Sequence, residues 1–116
     1  MNTLIVMLGG AVGAAARYHL GGVIGRGSVF PWGTLAVNIL GGVLMGVLMA
    51  RGPGEPARLL LGVGLLGGFT TFSAFSLETV ALLQRGAAGV ALGYVAASVL
   101  GACLALWAGL VLGRTA

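Results

Sequence analysis

Residues 67–78 read Gly67-Gly68-Phe69-Thr70-Thr71-Phe72-Ser73-Ala74-Phe75-Ser76-Leu77-Glu78 and lie within a long apolar segment. Four hydroxyls, three phenylalanines and a carboxylate are more than a plain membrane span needs. Phe72 and Phe75 are three residues apart and share a helical face. A phenylalanine is ordinarily filler, but its ring has a positive edge as well as a negative face. Two such edges turned into a pore would stabilise a small anion without holding it as tightly as a fixed cation does. Ser73 and Ser76 add hydroxyl donors beside them.

Further polar residues are scattered through the other apolar runs. Asn38 lies midway along one of them, with Thr34 one turn earlier on the same face. A buried amide must find partners in lipid, so Asn38 is either helix–helix glue or a two-hydrogen donor lining an anion path. Tyr94 and Ser98, one turn apart, either extend that track or are satisfied bundle hydroxyls. Glu78 is the sole carboxylate of the apolar segments, near the end of its own, and intramembrane acids are candidates for function. Arg17 stands towards the end of the first segment. It either snorkels to the interface or sets a positive potential at a pore mouth, with His19 interfacial beside it. Cys103, the one cysteine, reads as a small buried hydrophobe and excludes an intrachain disulfide. The sequence holds no Gly-rich phosphate loop followed by lysine, no His/Cys/Asp/Glu metal cluster and no Ser/His/Asp set. The expectation is that it is not an enzyme.

The elements that must position these residues are membrane helices. The 116 residues are 59% hydrophobic and only 7% charged, against about 25% charged in soluble domains. Mean hydropathy is +1.10. The six arginines are too scattered for a nucleic-acid footprint. No positive residue precedes the first apolar run, so that run is expected to stay as an anchor. Four spans are expected, about 3–24, 32–50, 59–83 and 88–112, in a single four-helix domain. All three prolines fall in or beside the short connections, which imply antiparallel neighbours. The third span is expected to break, because adjacent glycines weaken a helix by roughly 1 kcal/mol each relative to alanine.

Small residues are spaced for close helix contact at Gly9/Gly13, Gly42/Gly46 and Gly64/Gly68. A longer ridge runs through Gly89, Gly93, Ala97, Gly101, Ala105, Gly109 and Gly113. It packs either inside the bundle or against a second subunit. With four spans, Arg51, Arg58 and Arg114 lie on one side, and Arg26, Arg85 and Arg17 on the other. Orientation follows the Lys/Arg bias of the loops, and here the bias nearly vanishes. Insertion in both orientations, with pairing as an antiparallel dimer, is the expectation.

Three motifs carry a family resemblance: Gly9-Gly10-Ala11-Val12-Gly13-Ala14-Ala15-Ala16-Arg17-Tyr18, Gly33-Thr34-Leu35-Ala36-Val37-Asn38, and the 67–76 stretch followed by Glu78. Together they resemble the Fluc fluoride channels, also called CrcB proteins, over essentially the whole chain. The third motif is the specific one. The resemblance implies all-α, dual-topology homodimers of four-helix subunits, arranged antiparallel with two fluoride pores, in a bacterial cytoplasmic membrane. Cytoplasmic fluoride would leave passively, with selectivity over chloride. It further implies that Asn38 lines the pore, that Phe72 and Phe75 contact fluoride, and that Tyr94 and Ser98 begin a polar track. It implies a structural Na+ at the dimer axis, held by the Gly67 and Thr70 carbonyls of each subunit, and oxygen is what a hard cation prefers. Two positions depart from the family pattern. Ala74 stands where many members have threonine, and Ala102 where some continue the track with serine. Two other readings remain: a proton-coupled small multidrug exporter, disfavoured by the lack of a carboxylate in the first span, and a non-conducting membrane subunit, disfavoured by the ring-and-hydroxyl cluster.

Overall fold

The computed structural model describes residues 1–115, and among these every regular element is helical. Helices α1 (Asn2–Val23), α2 (Trp32–Ala50) and α5 (Ala88–Thr115) are uninterrupted. The third crossing is in two pieces, α3 (55–69) and α4 (Ser73–Gln84). α3 is itself composite. It opens with Glu55–Ala57, runs as a wider π-helical stretch over Arg58–Leu66 and closes with an α-turn over Gly67–Phe69. All four crossings are long and apolar enough to traverse a bilayer. The longest unbroken helix, α5, rises about 42 Å at ~1.5 Å per residue, against a hydrocarbon core of about 30 Å. The chain is a multi-pass membrane protein.

Local chemistry sets the helix ends. Pro31 precedes α2, and Pro56 sits in the first turn of α3, where a missing N–H costs nothing. Gly86 (φ +78°) closes α4. Its N–H returns to the Leu83 carbonyl and that of Ala87 to Leu82, satisfying carbonyls that a helix end leaves bare. Arginines serve other ends, with Arg26 Nε donating to the Gly22 carbonyl of α1 and Arg51 Nε to the Gly113 carbonyl of α5. A cation is favourable there because the helix dipole is negative at its C-terminus.

The bundle is built from two close helix pairs, α1 on α3 and α2 on α5. A methyl group at Gly9 or Gly13 would run into the Leu60 or Leu65 carbonyl of α3. One at Gly46 would meet the Leu106 carbonyl of α5, and one at Gly109 the Val43 carbonyl of α2. Backbones in contact are what glycine allows in lipid, where side-chain burial supplies little drive. The α5 ridge divides: Gly101, Ala105, Gly109 and Gly113 face α2, whereas Gly89 and Gly93 meet nothing within 4 Å. The main core gathers Leu35, Phe75, Leu82, Ala91 and Tyr94, with Phe30 and Ile39 packed against it.

Candidate functional site: a helix break facing an open groove

The interruption of the third crossing falls three residues later than the glycines suggest. Gly67 keeps helical dihedrals (φ −63°, ψ −38°), and the chain turns extended only at Thr70 (φ −87°, ψ 157°). Gly68 is needed for another reason: a Cβ there would stand 2.6 Å from the Gly10 carbonyl of α1. The break is shaped instead by polar side chains. Asn38 pairs with the whole peptide face of Thr71, its Nδ2 donating to the Thr71 carbonyl at 3.0 Å and its Oδ1 accepting the Thr71 N–H at 2.8 Å. That pairing fixes which end of the amide is which. Thr71 Oγ1 in turn accepts the Ala74 N–H at 3.1 Å. Phe72 already has helical dihedrals (φ −90°, ψ −32°), so Thr71 is the residue that caps α4, in the usual manner of a threonine. Thr70 turns its hydroxyl back to the Leu66 carbonyl at 2.9 Å, and its methyl occupies the space that a Cβ on Gly41 would need.

A groove of about 610 Å³ opens beside the break. Asn38, Gly67, Thr70, Thr71, Phe72, Phe75 and Ser98 line its polar and aromatic part, and Met45, Val99, Ala102, Cys103 and Leu106 are among its other lining residues. Ser98 is 8% exposed, and its buried Oγ has no hydrogen-bond partner. A buried hydroxyl without a partner is costly. Phe72 is 76% exposed, while Phe75 is buried behind it, with ring centroids 5.4 Å apart. Cys103 is not buried but exposed on the groove wall. It lies about 100° round the helix from Ala102, clear of the stripe that meets α2.

The other polar residues divide into separate groups. Thr34 and Tyr94 do not line the groove; they meet on Glu78, with Thr34 Oγ1 donating to Oε2 at 3.0 Å and the Tyr94 hydroxyl to Oε1 at 3.1 Å. Tyr94 is fully buried. Rings link the two groups, Phe75 to Tyr94 at 5.2 Å and Tyr94 to Phe30 at 5.4 Å, with Trp32 tilted against Phe30 beyond. Phe30 carried no signal in the sequence, because it sits in a connection rather than a span. Ser73 is exposed, its hydroxyl 3.2 Å from that of Thr71, and Ser76 donates to the Phe72 carbonyl. Arg17 turns inward: Nε donates to the Gly68 carbonyl at 3.1 Å, on the last turn of α3.

Oxygen atoms suited to a hard cation are also present. Among the described residues, no group of three or more His, Cys, Asp or Glu side chains could hold a metal. The Gly67 and Thr70 carbonyls, however, receive no hydrogen bond there. Bare carbonyl oxygens fit a cation such as Na+ better than they fit lipid.

The family described as CrcB-like protein, Camphor Resistance (CrcB), matches residues 4–110. A protein of Novosphingobium aromaticivorans named "Fluoride-specific ion channel FluC" is 52% identical over 120 residues, covering 97% of this chain and 95% of its own. Proteins of the same name from Chelativorans sp. and Sphingopyxis alaskensis are 52% and 53% identical, each across 98% of this chain and 97% of their own. With its break motif, its four crossings and these relatives along nearly its whole length, the chain belongs to the CrcB family.

Proposed function

We propose that this protein is a fluoride-specific ion channel, through which cytoplasmic fluoride leaves a bacterial cell passively across the inner membrane. The observation that carries the reading is the groove beside the break. There Asn38 and Ser98 line one groove with the Phe72 and Phe75 rings, in a chain whose relatives bear that channel's name. Fluoride is small and strongly hydrated, and entry requires its water to be replaced by strong donors. Asn38 commits one of its two N–H groups to Thr71 and keeps the other as a donor. Ser98 contributes a hydroxyl, and the two rings their positive edges. None of these is a full charge, so the anion can leave as well as enter.

The same reading assigns the remaining residues. Thr34, Tyr94 and Ser73 continue the polar track, with Glu78 as the acceptor that orients Thr34 and Tyr94. Arg17 supplies positive potential near the mouth while its Nε holds the end of α3. Two copies pair antiparallel, each covering the other's exposed Phe72. The Gly67 and Thr70 carbonyls of each copy would hold a structural Na+, which when bound would supply positive charge beside the breaks. The exporter alternative requires a carboxylate free to exchange protons and solute, and both oxygens of Glu78 already have donors. The test is growth in fluoride of a bacterium lacking its own fluoride export. Expression of this chain restores growth, and expression of Asn38→Ala does not. Failure of the unaltered chain to restore growth, with protein present in the membrane, contradicts the reading.

A further inference from the structure

The two carbonyls assigned to the cation are those whose helical partners have been taken by side chains. In an α-helix the N–H of each residue bonds the carbonyl four residues earlier. Gly67 would thus be matched with Thr71, and Thr70 with Ala74. Instead the Thr71 N–H goes to Asn38 Oδ1 at 2.8 Å, and the Ala74 N–H to Thr71 Oγ1 at 3.1 Å. Of the other carbonyls at the break, Leu66 has the Thr70 N–H and hydroxyl, Gly68 has Arg17, Thr71 has Asn38 and Phe72 has the Ser76 N–H and hydroxyl, while that of Phe69 is bare with no side chain taking its helical partner.

We propose that Asn38 and Thr71 are positioning residues for the Na+ site, and that their side-chain oxygens free the Gly67 and Thr70 carbonyls by withdrawing one amide from each. The inference rests on the sodium reading above. A carbonyl already bonded to an N–H would have to give up that bond before serving a cation. One left bare away from water is costly until the cation arrives. The arrangement therefore moves the cost of exposing the ligands into folding and leaves the site ready. Asn38 also faces the groove, so one side chain serves both the anion path and the cation site.

The test is the melting temperature of the purified dimer in detergent, titrated with Na+ against N-methyl-D-glucamine at constant chloride. The unaltered protein shows a saturable rise with Na+. Thr71→Val keeps the shape of the side chain but loses its oxygen, returning the Ala74 N–H to the Thr70 carbonyl. The Na+ concentration for half the rise then increases about tenfold or more, as expected for the loss of one hydrogen-bond-sized term. Thr71→Ser, which keeps the oxygen, titrates like the unaltered protein; a merely structural role for the hydroxyl predicts no such split. Thr71→Ala also lacks the oxygen and carries the same test if the valine variant does not fold. A Thr71→Val or Thr71→Ala protein with an unaltered Na+ titration overturns the proposal. An unaltered protein that melts identically with and without Na+ removes the sodium reading itself, and this inference with it.

Discussion

Replacing Asn38 by alanine strips the Thr71 peptide of both its hydrogen bonds and removes a groove donor at the same time. The Thr71 carbonyl is left without a partner at a cost of about 1–3 kcal/mol, while its N–H falls back on the Gly67 carbonyl, so the variant is expected to melt lower and to pass no fluoride; full efflux from Asn38→Ala would refute its place in the path. Phe72→Ile separates chemistry from packing, because this ring is largely exposed on the protomer. The fold of the single chain is expected to survive the change, while fluoride efflux falls steeply because the ring edge is lost. Undiminished efflux would sink the ring-edge mechanism and leave the channel reading standing. Phe75→Ile should lower both stability and efflux, since Phe75 packs between Phe72 and Tyr94. Asn38, Phe72, Phe75 and Ser98 were legible in the sequence because amides, ring pairs and hydroxyls stand out in apolar runs. The cap made by Thr71 was not, since its meaning depends on where the helix breaks. Nor was the Arg17–Gly68 bond, which joins residues 51 apart in the chain.

At the scale of elements, four crossings follow from hydropathy and three turn regions, and a break in the third follows from its composition. Its location did not follow. Glycine pairs weaken helices in isolation, but here Gly68 serves contact with α1, and the polar side chains around Thr71 end α3 instead. The π-helical stretch over Arg58–Leu66 left no pattern in the sequence, because apolar residues fill every face of a span. The glycine ridge makes a paired prediction. Gly109→Ala drives a methyl into the Val43 carbonyl of α2 and is expected to abolish recovery of monodisperse protein. Gly89→Ala, with nothing within 4 Å, should leave yield and melting temperature unchanged, and slightly favour the helix by propensity. Equal tolerance of both substitutions would contradict the α2–α5 contact.

At the scale of the molecule, Phe72 is exposed on the protomer beside an open groove. In the proposed assembly a second copy covers that surface. The nearly even arginine distribution predicts that a tag at the C-terminus becomes accessible to membrane-impermeant label from both sides of the membrane; label from one side alone would exclude the antiparallel dimer. Membrane insertion and the four crossings can be read from one chain; in the proposed assembly the far wall of the pathway belongs to the partner. The central claim is selective passage of fluoride, and it is tested most directly by efflux from liposomes containing the purified protein, read with a fluoride electrode beside chloride-loaded controls. The account predicts rapid fluoride release with no release of chloride. Vesicles that hold their fluoride, or that release chloride as readily, would contradict it.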